Sequence, residues 1–189
     1  RCGQLGIGML VVHVGSHLGA GKEAGIAKVV EACQTGLSKV GNDVKILLEN
    51  MAGQRNSCGS RFEDLSKILE GLGDSDRVGV CLDTCHLHGA GYDISGEEAV
   101  EKTIEEFDNI VGVKHLKAVH LNDSKGALAS GLDRHEHIGL GNIGLKGFEA
   151  FINHKYVRDK PMVLETPEDR RGNYRTNMER LRKIYRGYG

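Results

Sequence analysis

Several residue types are scarce in this sequence, and their scarcity excludes whole classes of protein. Tryptophan is absent and only 2 of the 189 residues are proline. No apolar run reaches the roughly 18 residues of a membrane span, and the first residues carry no signal-peptide pattern. Hydrophobic residues make up 39% of the chain and charged residues 27%, as in ordinary globular proteins. Disordered, collagen-like and membrane-spanning classes are therefore excluded, and we expect an intracellular domain with no membrane partner.

Neither the net charge nor the cysteines identify a partner. A net charge of -1 neither demands nor excludes a nucleic acid, because local clusters of charge matter more than their sum. The 5 cysteines are an odd number, without the spacing of a secreted disulfide domain or a zinc ribbon. We expect them to be reduced thiols in a reducing compartment.

Short apolar runs alternate with amphipathic helical periods along the chain, which predicts an α/β fold. The predicted strands are 9–12, 44–48, 78–82, 116–119 and 162–164. The predicted helices are 22–40, 62–72, 97–111, 145–153 and 174–185. In the last helix the period places Tyr174, Met178, Leu181 and Tyr185 on the inward face. Loops are expected from residue 84 through Gly91 and over 121–144.

Each predicted strand is followed at once by an imidazole or a carboxylate. These side chains are His13, Glu49, Asp83, His120 and Glu165. Open parallel sheets bind ligands at one switch point, whereas a TIM barrel collects residues from every strand at its C-terminal rim. The pattern therefore favours a TIM (β/α)8 barrel, of which about the last five βα units are present. We expect one domain, residues 1–189, that forms the C-terminal portion of the barrel.

Further donors flank these strand ends. His86 follows Asp83 by three residues, and Asp133 and His135 alternate in the long polar segment. In extended chain Asp133 and His135 point the same way, so the intervening Arg134 projects elsewhere, where it could meet a phosphate.

Together these side chains predict a metal centre. The full set, here called the candidate donors, is His13, Glu49, Asp83, His86, His120, Asp133, His135 and Glu165. Singly, each has an ordinary explanation as a helix N-cap or a hydrogen-bonded structural histidine. Gathered on one rim they would repel one another and be costly to desolvate without cations. Imidazole mixed with carboxylate suits zinc, manganese or iron, and this many donors implies two or three ions with a bridging carboxylate. Such clusters activate water and stabilise phosphoryl transfer.

One glycine-rich segment has a second interpretation. Residues 139–144 read Gly-Leu-Gly-Asn-Ile-Gly, which matches a dinucleotide-binding fingerprint by count. The segment follows a polar loop rather than a strand, so we reject that interpretation.

Four motifs resemble the endonuclease IV family of zinc-dependent apurinic/apyrimidinic endonucleases. They are Leu-Glu-Asn-Met-Ala-Gly-Gln (48–54), Gly-Val-Cys-Leu-Asp-Thr-Cys-His (79–86), His-Leu-Asn-Asp-Ser-Lys (120–125) and Asp-Arg-His-Glu-His-Ile-Gly-Leu-Gly-Asn-Ile-Gly (133–144). The resemblance implies a TIM barrel that holds three Zn²⁺ ions, with Mn²⁺ as an alternative. It also implies a base-excision-repair enzyme that cuts duplex DNA 5′ to a flipped-out abasic nucleotide and leaves a 3′-hydroxyl. Double-stranded DNA with abasic sites would be the partner of a monomeric enzyme, in the nucleus or mitochondrion of a eukaryote or the cytoplasm of a bacterium.

The resemblance also assigns the donors to ions. His13 and Glu49 would bind the first zinc, and Glu49 would bridge to the second. Asp83, His120 and Glu165 would complete the second site, and His86, Asp133 and His135 would form the third. Glu49 and Glu165 would be the catalytic residues, with Arg134 on a DNA phosphate.

This chain departs from the family pattern at two points. The family's first zinc takes a further histidine that has no counterpart here, and its N-terminal DNA-penetrating loops are also missing. We therefore expect these 189 residues alone to be poorly folded or inactive.

The alternative function is a metal-dependent sugar isomerase or epimerase of the related xylose-isomerase-like barrels, which would not need the separate set of His86, Asp133 and His135.

Overall fold

Five parallel strands form one sheet in the computed structural model, which describes residues 1–73 and 75–187. The sheet strands are β1 (Met9–His13), β2 (Lys45–Glu49), β3 (Val78–Asp83), β4 (Leu116–His120) and β7 (Met162–Val163). They lie side by side in the order in which they occur in the chain, β1-β2-β3-β4-β7. A doubly wound open sheet would reverse its order at a switch point, so the consecutive order is that of a barrel wall. The prediction of about five βα units of a TIM barrel is confirmed.

Helices pack on one face of this sheet. They are α1 (Lys22–Lys39), α2 (Phe62–Leu72), α3 (Thr84–Ala90), α4 (Glu97–Ile110), α5 (Gly144–Asn153) and α6 (Tyr174–Ile184). Alternate strand residues, among them Leu48, Val80, Leu82 and Val119, point toward the helices and join the main hydrophobic core. The intervening residues Leu47, Cys81 and Ala118 form a second, smaller cluster on the opposite face, which is the inner face of the barrel wall.

The segment after Asp83 was predicted to be a loop, which is wrong. Residues Thr84–Ala90 form helix α3, because Asp83 caps its N-terminus by accepting the backbone N–H of His86 at 2.8 Å. Gly91, with a φ of 98°, ends the helix in the left-handed conformation that glycine tolerates best.

The segment 121–144 was also predicted to be one long loop, and this too needs correction. It contains a short antiparallel pair, β5 (Asp123–Ser124) with β6 (His135–Glu136). Asp123 pairs with Glu136 and Ser124 with His135. The hairpin is too short for a periodic sequence signal, yet it carries His135 back to the rim.

The predicted inward face of α6 is largely wrong. Leu181 is buried, but Tyr174, Met178 and Tyr185 are 48%, 40% and 38% exposed. Asn177 takes the buried position instead, because its amide satisfies the Ile138 N–H at 3.0 Å and the Thr166 hydroxyl at 2.9 Å. An apolar period alone does not reveal a buried amide with partners from distant segments.

Two compositional expectations can be compared with the fold. All 5 cysteines are free thiols, as predicted. Among the helices that the structure describes, none has both the length and the apolar character required to cross a membrane.

Candidate metal centre

The candidate donors stand on the inner face of the sheet at its carboxyl edge. Side chains on one face of a strand recur every second residue. Glu49, Asp83 and His120 therefore follow Leu47, Cys81 and Ala118 of the small inner cluster, each two residues further along its strand. The register completes the arrangement, since His13 pairs with Glu49 and Asp83 with His120. Parallel strands thus bring donors from distant parts of the sequence to one rim.

Four candidate donors converge on one point. Ligand atoms of Glu49, Asp83, His120 and Glu165 all lie within 4.8 Å of one another. His120 Nδ1 lies 2.9 Å from Glu49 Oε1, 3.2 Å from Glu165 Oε2 and 4.0 Å from Asp83 Oδ2. Glu49 and Asp83 are almost wholly buried. Three carboxylates around one imidazole nitrogen carry more negative charge than a single proton balances, which is the environment a divalent cation would stabilise.

A second group lies beside the first. His86 Nε2 and His135 Nε2 lie 3.2 and 3.4 Å from Asp133 Oδ1. The Nδ1 atoms of the same rings face backbone carbonyls, His86 that of Asn50 at 2.8 Å and His135 that of Glu165 at 3.1 Å. A carbonyl accepts only, so Nδ1 carries a hydrogen in each ring and Nε2 is the atom turned toward Asp133, where its lone pair would serve a metal once Nε2 is deprotonated. This orientation is the usual one for metal-binding histidines.

Unsatisfied polar atoms test whether these residues fit a metal. Six buried side-chain atoms of the described residues have no hydrogen-bond partner, and two of them, His86 Nε2 and His135 Nε2, face Asp133. Leaving a buried polar atom unpaired costs about 1–3 kcal/mol. Because the two atoms at this site are imidazole nitrogens that face one carboxylate, the set fits a zinc-like cation.

The remaining donor, His13, forms a thinner group with Glu49. His13 Nε2 lies 3.3 Å from Glu49 Oε2, while Glu49 Oε1 faces His120. His86 Nδ1 is also within 3.6 Å of Glu49 Oε1, but its hydrogen goes to the Asn50 carbonyl. Glu49 therefore offers one oxygen to each of two groups, which is what a bridging carboxylate requires. The His13 side chain is 53% exposed, so this group is open on one side.

In the second group, nearby carboxylates favour the protonated form of His86. Burial alone would lower the pKa of His86, but the carboxylates of Asp133, Asp83 and Glu49 outweigh burial and raise it to about 9. His86, whose Nε2 lies 3.2 Å from Asp133 Oδ1, in turn lowers the pKa of Asp133 to about 2. The protein thus holds a proton on His86 between carboxylates, where a metal cation would replace it.

The first group resembles the second in the raised pKa of its histidine but differs in the pKa of its aspartate. Burial would lower the pKa of His120, but contacts with the Cys81 thiol, Glu165 and Glu49 raise it to about 12. Burial raises the pKa of Asp83, because the favourable charges of nearby histidines only partly offset its desolvation.

Arg134 lies where alternation predicts. Asp133 and His135 both face His86, whereas Arg134 is exposed and its guanidinium donates to the Asp133 carbonyl at 2.7 Å. The side chain thus keeps most of its donors free at the edge of the site, next to two candidate donors.

Two asparagines next to the donors escaped the prediction. Asn50 follows Glu49 directly, and Asn122 lies two residues after His120. Both are buried and hydrogen-bonded to Asp83. One sequence feature could have identified them: each asparagine lies inside a family motif, the ones that begin at Leu48 and His120, shortly after a strand-end donor.

The glycine-rich segment 139–144 also has a clear role. Asp123 accepts four backbone N–H groups, from Ser124 and Ile143 on Oδ1 and from Gly139 and Gly141 on Oδ2, at 2.8–3.0 Å. A Cβ at Gly141 would lie 2.5 Å from Asp123 Oδ1. The segment wraps a carboxylate of the same chain, so the rejection of a dinucleotide site agrees with the structure.

Known proteins resemble this chain in sequence and in structure. A family profile described as xylose isomerase-like TIM barrel matches residues 1–184. The probable endonuclease 4 of Methanoculleus marisnigri is 47% identical over 185 residues, which cover 97% of this chain and 66% of that protein. The probable endonuclease 4 of Nitrosopumilus maritimus is 50% identical over 183 residues, with coverage of 97% and 64%.

A solved structure agrees with these relatives. The crystal structure of endonuclease IV from Thermus thermophilus matches with a TM-score of 0.78 and 32% identity, over 96% of this chain and 64% of that one. The chain thus spans between 64% and 66% of the length of these three proteins. With a match over residues 1–184 and relatives of this similarity, the chain belongs to the endonuclease IV group of the xylose isomerase-like TIM-barrel family.

Proposed function

We propose that this chain carries the zinc centre of an apurinic/apyrimidinic endonuclease. The enzyme would hydrolyse the phosphodiester bond 5′ to an abasic site in duplex DNA and leave a 3′-hydroxyl. Three zinc ions would be held by the candidate donors, with Glu49 shared between the first two. Bound zinc would supply Lewis acidity to the phosphate and lower the pKa of a water nucleophile.

One observation carries this proposal. The group of His86, Asp133 and His135 stands beside the group of Glu49, Asp83, His120 and Glu165. Within each group, the ligand atoms lie within 4.8 Å of one another. A sugar isomerase or epimerase with one or two ions has no use for the additional His-Asp-His set. A phosphoryl-transfer centre does, because separate cations can stabilise the attacking oxygen, the leaving oxygen and the phosphate itself.

The residues of this chain would divide the work. Glu49 and Glu165 would hold negative charge at the point where the nucleophile is activated, and they are the catalytic residues of the proposal. His86 and His135 would keep their Nε2 lone pairs toward the third site, because backbone carbonyls hold the opposite nitrogens. Arg134, exposed beside Asp133, would bind a DNA phosphate through its free donors.

The test uses the full natural chain, meaning these residues together with any that precede Arg1 in the natural product. A duplex with one tetrahydrofuran abasic analogue is incubated with the zinc-loaded protein, with and without a chelator. We expect a single cut 5′ to the lesion, a product end that a polymerase extends, and no cut after chelation. An identical duplex without the lesion is the control.

Two outcomes would contradict the proposal. Failure to cut under zinc-replete conditions would contradict the nuclease function. Epimerisation of a ketose by the same sample would support the sugar-isomerase alternative. The third site is tested by metal counting, since Asp133→Asn should lower the zinc content by about one ion per chain. An unchanged zinc content in that variant would contradict the assignment of the third group to a metal.

A further inference from the structure

Side-chain amides tie together the strand ends that carry the candidate donors. Asn50 stands just after β2 and Asn122 just after β4, and both are buried. Each reaches across to the end of β3, where Asp83 lies between them. Neither residue belongs to the donor set, so their contacts have a separate role to explain.

Asn50 extends the pairing of β2 with β3 beyond the last strand residues. Its Oδ1 accepts the Asp83 N–H at 2.7 Å, and its Nδ2 donates to the Asp83 carbonyl at 3.3 Å. Its own backbone carbonyl accepts from His86 Nδ1 at 2.8 Å. One residue therefore fixes the backbone of one donor and the ring orientation of another.

Asn122 does the same on the other side of Asp83. Its Nδ2 donates to Asp83 Oδ2 at 2.6 Å, and its Oδ1 accepts the Glu165 N–H at 2.8 Å. The amide can take only this orientation, because the flipped one would place oxygen against a carboxylate and NH₂ against N–H. The Asn122 backbone is itself held by the Thr84 hydroxyl, at 2.8 Å from its N and 2.7 Å from its O.

These contacts leave the Asp83 carboxylate held but unneutralised. Oδ1 accepts the His86 N–H and Oδ2 accepts the Asn122 amide, so each oxygen has one neutral donor. A carboxylate oxygen has two lone-pair sites, and one on each remains for a cation. A lysine or arginine in place of Asn122 would compete with a metal for the same charge, whereas an amide fixes the geometry and leaves the charge available.

We propose that Asn50 and Asn122 are positioning residues of the metal centre, which hold Asp83, His86 and Glu165 in place across the ends of four strands. The inference rests on the proposed zinc centre. Outer partners of metal ligands typically affect metal affinity by about 10–100-fold. Asn122 contacts donors from two different strands, so we expect the larger effect from its loss.

The test measures zinc retention rather than cutting. The zinc-loaded full natural chain and its Asn122→Ala and Asn50→Ala variants are mixed with a chromogenic chelator, and the rate of zinc transfer is followed. We expect transfer at least ~10-fold faster from Asn122→Ala than from the unmodified protein. After replacement of zinc by cobalt, the absorption bands that report coordination geometry should shift in the same variant.

Asn177→Ala is the matched control. Asn177 is as deeply buried as Asn122 and makes several hydrogen bonds, but its partners are Ile138, His137, Thr166 and Asn173 rather than the candidate donors. We expect this variant to lower the thermal midpoint with an unchanged cobalt spectrum and zinc transfer rate. If Asn122→Ala does not fold, Asn122→Ser replaces it, because the shorter hydroxyl cannot reach both partners.

The outcomes separate this inference from the one it rests on. Zinc transfer from Asn122→Ala at the unmodified rate, with an unchanged cobalt spectrum, overturns the positioning role. An unmodified protein that retains no zinc at all overturns the zinc centre instead.

Discussion

Asp83 and His86 are joined by a hydrogen bond at the start of α3, where Asp83 Oδ1 accepts the His86 N–H at 2.8 Å. The same aspartate thus caps a helix and faces the candidate donors with Oδ2, 4.0 Å from His120 Nδ1 and 3.8 Å from His135 Nε2. The two explanations considered for a strand-end carboxylate, helix cap and metal ligand, are compatible in one residue.

This double use makes Asp83→Asn informative. Asparagine is an equally good cap, but its NH₂ group would then face the Asn122 amide that now donates to Asp83 Oδ2, so the metal-free protein should lose about 1–3 kcal/mol of unfolding free energy. The uncharged amide is a poor zinc ligand, so zinc content should fall by at least one ion per chain. Denaturant titration and metal analysis measure the two effects. Asn173→Ala, which removes the α6 cap to Thr176, is the control and should cost ~1 kcal/mol with no loss of zinc.

Glu49→Gln tests the shared carboxylate. The side chain is 3% exposed, and glutamine keeps its size but replaces one acceptor oxygen with an NH₂ donor. We expect cutting of abasic duplex to fall by at least ~100-fold, as for loss of a group that acts on the reacting atoms. Thermal unfolding of the metal-free variant should be close to that of the unmodified protein, because a buried negative charge is also removed. Glu149→Gln, in the exposed pair with Arg186, should cut normally, and equal activity in both variants would contradict the bridging role.

The metal-free protein should lose stability as the pH rises from neutral. The folded-state pKa of His86 is raised from 6.5 to about 9, so protonated His86 stabilises the fold fully below pH 6.5, and this stabilisation is lost as the pH rises through 9. The pKa of Asp133, lowered from 3.8 to about 2, adds stability above pH 3.8 that is lost as the pH falls through 2. Both residues report the same ion pair, so their effects must not be added.

Urea denaturation of chelated protein at pH 5, 7 and 9 measures this dependence. The free energy of unfolding should fall between pH 7 and 9, and His86→Gln should flatten the fall. Zinc should reverse the trend, because ligand protons compete with the metal and are lost at higher pH. A metal-free protein more stable at pH 9 than at pH 5 would show that the ion pair is not formed.

Arg134→Ala should weaken binding to abasic duplex without loss of zinc or stability. The only hydrogen bond of its side chain in the described structure goes to the neighbouring Asp133 carbonyl. Loss of one phosphate contact should reduce the slope of log affinity against log salt concentration by about 1. The control is Arg186→Ala, since helices run back from the rim and Arg186 lies beyond the C-terminal end of α6. An unchanged salt slope for Arg134→Ala would remove the phosphate contact.

The strand ends were predictable because two simple periodicities meet there. Alternation along a strand and the parallel direction of βα units dictate that His13, Glu49, Asp83 and His120 share one edge and one face. Helix α1 also agrees, ending one residue before the predicted boundary. Such features depend only on local pattern and on the direction of the chain.

Other features depended on partners that no local pattern contains. Helix α3 exists because Asp83 caps it, and the β5–β6 hairpin exists because residues 123–124 meet residues 135–136 across a long segment. The burial of Asn177 and the exposure of Met178 depend on loops that pack from elsewhere. Long-range hydrogen bonds by buried amides are invisible to hydrophobic periodicity, and they account for the overlooked roles of Asn50 and Asn122.

The carboxylate of Asp123 has a dynamic consequence. Because one side chain holds the amides of Ser124, Gly139, Gly141 and Ile143, none of these hydrogen bonds can open by movement of Asp123 without exposing the others. In hydrogen–deuterium exchange these amides should therefore report a common free energy of opening, as a single cooperative unit. The unit includes β5, which pairs with the strand that carries His135. Opening of the segment around Asp123, which contains no ligand of the third metal site, would thus also release the strand that carries His135.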